Sequence, residues 1–372
     1  MVVRKIRVLV VDDSVVIRRM LTEVLASDPE IEVVGFAANG RIGLQKIPQV
    51  NPDVVTLDIE MPELNGLETV SEIRKIWPKL PVIMFSTLTA RGALATLDAL
   101  SRGASDYVAK PANVGSVNAA QQRIREELIP KVKALAAAAM GIKPTRLVPT
   151  EPRRPLLGGG RTAVALAQGR RVELLAIGTS TGGPNALAAL IGQLPANFPV
   201  PIVITQHMPP LFTRFLAERL TGLGGVRFGE GVNGAVLAPG TGWIAPGDWH
   251  MVLVRDGSVV RVRLNQDPPE NSCRPAVDPL FRSAAEIYGA GTLAMVLTGM
   301  GQDGLRGCEH VRGVGGRIVV QDEASSVVWG MPGFVANAGL ADAVLPLDRI
   351  AGELIQIINQ SWRPQLGQPN SR

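Results

Sequence analysis

The chain has 372 residues, 46% of them hydrophobic, which is too long for one typical core and ample for two. Lys and Arg (38) exceed Asp and Glu (33) for a net charge of +5, yet aromatic content is only 4% and no helix-turn-helix or RNA-binding motif occurs, so the base excess does not argue for nucleic acid. The apolar run 8–11 after Arg4 and Lys5 is broken at once by Asp12, and the 2 cysteines, Cys273 and Cys308, stand in no zinc or disulfide spacing; a protein of the reducing cytoplasm without membrane insertion is expected.

Apolar runs at 6–11, 33–36, 54–57, 82–85 and 107–108 read as buried parallel strands, with amphipathic helices such as 15–26 and 66–77 between them. This predicts a five-stranded doubly wound sheet, whose ligand site lies beyond the carboxyl ends of the strands. The polar residues fall there: Asp12 and Asp13 after the first strand, Asp58 after the third, Ser86 after the fourth and Lys110 after the fifth. Clustered carboxylates repel unless a hard cation neutralises them, and Mg²⁺ takes a few carboxylate oxygens together with water and phosphate. Asp58 is thus a candidate nucleophile toward a phosphoryl donor, with Lys110 and Ser86 left to contact the phosphoryl oxygens. Asp12 and Asp13 taken alone read as caps of the helix starting near Ser14. Their coincidence with Asp58 and Lys110 at matching strand ends favours a pocket.

These residues in this order, with Asp58-Ile59-Glu60-Met61-Pro62, Asn65-Gly66 and Lys110-Pro111, resemble the receiver domain of two-component response regulators over about residues 4–128. The resemblance implies a flavodoxin-like fold, Asp58 as phosphoacceptor, Mg²⁺ on Asp12, Asp13 and Asp58, Ser86 and Tyr107 as a switch pair, and Lys110 as the phosphate contact. Tyr107 reads equally well as an aromatic that fills the core beside its strand.

An Ala-rich helical stretch at 131–140 leads into residues 141–171, which carry Pro144, Pro149, Pro152, Pro155, Gly158-Gly159-Gly160 and seven basic residues against a lone acid, Glu151. This reads as a flexible basic tether. The expected organisation is a first domain at 1–128, a linker at 129–170, a second domain at 171–358 and a disordered polar tail at 359–372.

The second domain opens with an apolar strand at 174–177, a Gly-rich turn and a helical pattern at 186–191. A phosphate-binding turn is disfavoured because Pro184 follows Gly183, where a P-loop needs Lys. Gly178-Thr179-Ser180-Thr181-Gly182 instead matches G-x-S-x-G, a strained turn that exposes a serine hydroxyl. Of three histidines, His207 follows the strand 202–204, His250 reads as a hydrogen-bonded histidine between strands, and His310 as an exposed helical one. Asp303 follows the strand 293–297, so Ser180, His207 and Asp303 emerge at three strand ends, as a nucleophile, base and orienting acid must. The order Ser-Asp-His offers His310 as the alternative base. Asp278 reads as a helix N-terminal carboxylate, and Cys273 and Cys308 as small apolar packing groups.

With Gln206-His207-Met208-Pro209, Cys273-Arg274-Pro275-Ala276-Val277-Asp278, Thr298-Gly299-Met300-Gly301-Gln302-Asp303-Gly304 and Gly330-Met331-Pro332, the segment 170–358 resembles the catalytic domain of the chemotaxis response-regulator protein-glutamate methylesterases, the CheB family. Ala276 stands where that family usually has Ser. The resemblance implies a doubly wound, mostly parallel α/β hydrolytic domain with Ser180, His207 and Asp303 as its triad and Thr181 and Met300 as oxyanion neighbours. It further implies hydrolysis of glutamate methyl esters on methyl-accepting chemoreceptors without a cofactor, deamidation of receptor glutamines, and phosphorylation by a chemotaxis histidine kinase. A tethered receiver resting over Ser180 until Asp58 is phosphorylated is the mechanism this architecture suggests. A second domain that only binds a partner and a DNA-binding regulator are the competing readings.

Overall fold

The computed structural model describes residues 4–110, 117–141 and 171–361. The first unit alternates β1 (Ile6–Val11), α1 (Val15–Ala26), β2 (Ile31–Ala37), α2 (Gly40–Val50), β3 (Val54–Asp58), α3 (Gly66–Ile76), β4 (Val82–Ser86), α4 (Ala90–Ser101), β5 (Asp106–Ala109) and α5 (Val117–Ala139). Its strands form a parallel sheet in the order β2-β1-β3-β4-β5. Residues of β3 and β4 are buried along their whole length, which is why their sequence reads as apolar runs and not as an alternation. Ser14, Asn39, Asn65 and Thr89 each cap a helix through the side chain, so after β1 to β4 the chain turns into a capped helix and leaves these strand ends open to a ligand.

The boundary expected after residue 128 falls inside α5, which runs unbroken to Ala139 despite Pro130. Ile129, Val132, Leu135 and Ala136 are buried in the same cluster as Val8, Val10, Leu21 and Leu25. Burial of this apolar face holds the helix beyond the proline, so the first unit is about ten residues longer than the sequence suggested. Residues 142–170 of the expected linker and 362–372 of the expected tail lie outside the described residues.

The second unit contains β6 (Leu174–Thr179), α6 (Gly183–Ile191), β7 (Ile202–Gln206), α7 (Phe212–Gly222), β8 (Arg227–Glu230), β9 (Thr241–Ile244), β10 (His250–Asp256), β11 (Val259–Asn265) and α8 (Val277–Tyr288). It continues through β12 (Thr292–Val296), α9 (Leu305–Gly313), β13 (Arg317–Gln321), α10 (Met331–Asn337), β14 (Ala343–Leu345) and α11 (Leu347–Ser361). Seven strands pair in parallel in the order β14-β13-β12-β6-β7-β9-β8, with β10 and β11 as a separate antiparallel hairpin. The last helix reaches Ser361, whose Oγ accepts from Val172 N at 3.0 Å, so the tail boundary expected after 358 also lies within an element.

The two units share one hydrophobic cluster: Leu97, Leu100 and Tyr107 of the first pack with Leu187, Leu190 and Phe212 of the second. The Tyr107 and Phe212 rings stack with centroids 4.9 Å apart.

Candidate functional site

In the first unit, Lys110 Nζ lies 2.8 Å from Asp58 Oδ1 and 3.3 Å from Asp12 Oδ2. Burial pushes the pKa of Asp58 up to about 6, with the Asp12 charge adding to it and Lys110 opposing. Burial likewise raises Asp12. Burial disfavours charge on Lys110 too, but the two carboxylates overcome that and raise its pKa. A cavity of about 320 Å³ opens here, lined by Asp13, Asp58, Glu60, Ser86, Thr87 and Lys110 among others.

Asp12, Asp13 and Asp58 each offer an oxygen within 4.8 Å of the others, with Lys110 the charged neighbour of Asp12 Oδ2. Three carboxylates converging on one point with a single lysine between them fit a hard divalent cation such as Mg²⁺. Ser86 Oγ donates to Gly92 O at 3.1 Å, at the start of α4. Tyr107 is buried against α7, so the alternative reading as a packing aromatic describes its position, although the surface it packs on belongs to the other unit.

In the second unit the three candidate residues leave adjacent strands. Register pairs Thr179 of β6 with Gln206 of β7, so Ser180 and His207 are the next residues along neighbouring strands. On the other side of β6, Ser180 N donates to Thr298 O at 3.1 Å, anchoring the turn to the loop that follows β12. Gly182 has φ +79°, and a Cβ there would meet Val327 Cβ at 2.6 Å, so only glycine completes the turn without strain. The loop from β12 then crosses over the end of β6 and brings Asp303 Oδ2 to 2.7 Å from His207 Nε2.

Asp303 is heavily held. Val277 N donates to Oδ2 at 2.6 Å, while Asp278 N (3.1 Å), Gly304 N (2.9 Å) and Asn271 Nδ2 (2.9 Å) donate to Oδ1. Burial works to raise its pKa, but the His207 ring and these donors overcome it and hold the carboxyl below its usual value. Asp278 sits at a helix start as expected, yet fully buried, accepting from Gly307 N at 2.7 Å and Asn271 Nδ2 at 2.9 Å. Burial and the Asp303 charge raise its pKa.

With Nε2 committed to Asp303, Nδ1 is the ring nitrogen left for chemistry, and it faces Cys273 Sγ at 3.5 Å. This corrects the expectation that Cys273 merely packs; Cys308 is the cysteine that does, with no exposure and a thiol pushed far up by burial. Burial disfavours charge on His207, but the neighbouring Cys273 and Asp303 side chains overcome it and raise the ring's pKa to about 10. His250 is buried, with Nδ1 accepting from Ala276 N at 3.2 Å and Nε2 3.2 Å from Pro268 O, and His310 Nδ1 lies 2.8 Å from Arg306 O on an exposed face. Among the described residues, the backbone amides of Thr181 and Met300 have no hydrogen-bond acceptor.

Sequence reasoning missed Asp106. Its Oδ2 accepts from Thr181 Oγ1 at 2.7 Å, tying the first unit to the residue beside Ser180, while Lys131 Nζ stands 3.5 Å from the same oxygen. Asn185 Nδ2 on α6 donates to Leu100 O at 2.7 Å on α4. No motif marks such contacts, because each partner is an ordinary polar residue until the two surfaces meet.

The family model described as response regulator receiver domain matches residues 8–122, and that described as CheB methylesterase matches residues 175–354. The chain is 52% identical over 354 residues to the protein-glutamate methylesterase/protein-glutamine glutaminase of Trichodesmium erythraeum, covering 95% of this chain and 99% of that one. The chain belongs to the protein-glutamate methylesterase/protein-glutamine glutaminase family. It joins a response regulator receiver domain to a methylesterase domain. A relative of the same description from Nocardioides is 52% identical over 370 residues, with 97% of both chains covered. The crystal structure of the Thermotoga maritima CheB methylesterase catalytic domain is 44% identical and covers 50% of this chain and 98% of that one, with a TM-score of 0.49.

Proposed function

We propose that the chain hydrolyses methyl esters of glutamate side chains on chemoreceptors and deamidates receptor glutamines, with Ser180 as nucleophile, His207 as base and Asp303 as its orienting acid. The observation that carries this reading is the 2.7 Å contact between His207 Nε2 and Asp303 Oδ2, made at strand ends flanking Ser180. Asp303 keeps the Nε2 proton in place, and once the ring, whose pKa is raised, has shed its Nδ1 proton, Nδ1 takes the proton from Ser180 Oγ as it attacks the ester carbon. For this the ring must turn from Cys273 to Ser180. The unused Thr181 and Met300 amides receive the developing oxyanion. His207 returns the proton to the departing methoxide, methanol leaves, and water repeats the sequence on the acyl-serine.

In the receiver, Asp58 is the phosphoacceptor for a chemotaxis histidine kinase; Asp12, Asp13 and Asp58 would hold Mg²⁺, which would supply neutralisation of the carboxylate and phosphoryl charge. Lys110 contacts the phosphoryl oxygens, and Ser86, 3.1 Å from the α4 backbone, turns toward the group. That movement loosens α4 and Tyr107 from α6 and α7, and with them the Asp106–Thr181 bond. Activation is therefore release of a covered site. No described helix is long and apolar enough to cross a membrane. The protein acts in the cytoplasm on the receptors' cytoplasmic part.

Methanol release from methylated chemoreceptor membranes, with and without Mg²⁺ and a small phosphoryl donor, tests this. Release that rises with the donor is expected; none from folded protein in either condition would overturn it.

A further inference from the structure

Asp278 and Asp303 are both buried, and Asn271 stands between them. Its Nδ2 donates to Asp303 Oδ1 and to Asp278 Oδ2, each at 2.9 Å. An ionised carboxylate only accepts, so the amide must present its nitrogen here, and its two hydrogens serve one carboxylate each. Among the described residues no other side chain donates to both. The remaining donors apart from His207 are backbone amides: Val277, Asp278 and Gly304 to Asp303, and Gly307 to Asp278. Helix α8 builds the bridge. Its first two amides turn to Asp303 in place of a capping side chain, because Ala276 at the N-cap offers none. One turn beyond Asp278, Arg282 pins Glu270 with two hydrogen bonds, and Glu270 and Cys273 close the loop by exchanging backbone bonds at 2.8 and 3.1 Å. Asn271 inside that loop is left-handed (φ 51°), a conformation that Gly, Asn and Asp take with the least strain.

We propose that Asn271 is a positioning residue of the hydrolase, sharing one amide between Asp303 and Asp278 so that Asp303 stays fixed on His207; this rests on Asp303 being the orienting acid proposed above. Two buried carboxylates side by side repel, and without a donor between them one captures a proton. A proton on Asp303, or a turn of its carboxylate away from Nε2, would leave the His207 ring unsupported as it takes the proton of Ser180. No neighbouring charge substitutes for the amide, since His207 is already bonded to Asp303 and Arg282 to Glu270. Burial and the Asp303 charge raise the pKa of Asp278, and Asn271 is one of the donors that oppose them.

The test measures kcat and KM for methanol release from methylated chemoreceptor membranes by the full-length protein carrying Asn271→Gly, Asn271→Asp, or Asn271→Gly together with Asp278→Asn, with folding checked by circular dichroism. Glycine keeps the left-handed turn and loses the amide, so kcat should fall roughly 10- to 100-fold with KM unchanged, the weight of a hydrogen bond to a charged group. Aspartate keeps the shape as well but adds a third carboxylate, and kcat should fall further. Asp278→Asn leaves an oxygen for Gly307 N and removes the second charge, so the double variant should recover a large part of what Asn271→Gly loses. A residue needed only for its turn would be replaced by Gly or Asp without loss. Unchanged kcat in both would therefore overturn the proposal, as would a change confined to KM, or losses that simply add in the double variant. Asn271→Asp alone carries the test if the glycine variant does not fold. Asp303→Asn measured alongside separates the two readings: if it is slow and Asn271→Gly is not, only the bridge fails. No methanol from the parent counts against the esterase reading alone. The low-field proton resonance of His207 Nε2–H, identified by its loss in His207→Ala, should even then weaken in Asn271→Gly, and an unchanged resonance would overturn the bridge.

Discussion

Asp58 and Asp303 occupy the same place in two similar sheets, at or just beyond the carboxyl end of a buried parallel strand, and the structure drives them in opposite directions. Asp58 has two donors, Lys110 and the Ile59 amide at 2.7 Å, and a neighbouring carboxylate, so burial wins and its pKa rises to about 6. Asp303 accepts from three backbone amides, an asparagine and a histidine, and its pKa falls. What separates them is the number of donors aimed at the carboxylate, not burial, since both are nearly sealed. An aspartate left short of donors is poised for a cation and a phosphoryl group; one saturated with donors is spent on holding a ring.

The strongest way to break this contrast is Asp303→Asn. An amide cannot accept from all these donors and cannot keep the Nε2 proton in place, so methanol release should fall by roughly 10³- to 10⁴-fold with the fold intact by circular dichroism. A loss under about tenfold would mean that Asp303 does not orient the base.

Asp58→Asn acts at the other carboxylate. Stimulation of methanol release by Mg²⁺ and phosphoryl donor should vanish; stimulation that persists would move the phosphoacceptor elsewhere. Between the two sites lies the Asp106–Thr181 bond, whose loss should cost the covered state about 1–3 kcal/mol. Asp106→Ala should therefore raise the rate without donor several-fold and shrink the further rise with donor. An unchanged basal rate would show that this contact does not hold the cover.

The smallest effect is thermodynamic. With a folded pKa of about 6 against an ordinary 3.8, the folded receiver holds a proton that the unfolded chain has released between those values. Asp58 therefore favours the folded state below about pH 4, and this contribution is lost as pH rises through 6. Mg²⁺ needs the ionised carboxylate, so its stabilisation of the receiver, read as a rise in Tm of a few degrees at pH 7.5, should fade toward pH 5.5. A pH-independent shift would place the cation away from Asp58.

Much of this was legible from residue type and position. Strands buried on both faces read as apolar runs, and β1 and α1 fall at the expected residues. Reactive side chains had to sit at strand ends, because a doubly wound sheet leaves only that edge open. The unit boundary expected after residue 128 gives way to a tertiary fact, the burial of Val132 and Leu135 against the first unit's core, which carries the helix past Pro130. Cys273 reads as packing because no neighbour in sequence points to its contact with His207, 66 residues away.

The sequence by itself determined two α/β units, the residue sets at their strand ends and the family's order of motifs, since these follow from hydrophobic periodicity and from chemistry that only certain side chains perform. Only the tertiary structure decided which ring nitrogen Asp303 takes, which donors hold Asp303, and that Asp106 bonds the residue after Ser180 while Leu100 and Tyr107 pack on α6 and α7. The physical reason is range. Periodicity and turn chemistry act over a few residues, whereas a hydrogen bond's direction and a carboxylate's pKa depend on groups that only folding brings within 4 Å.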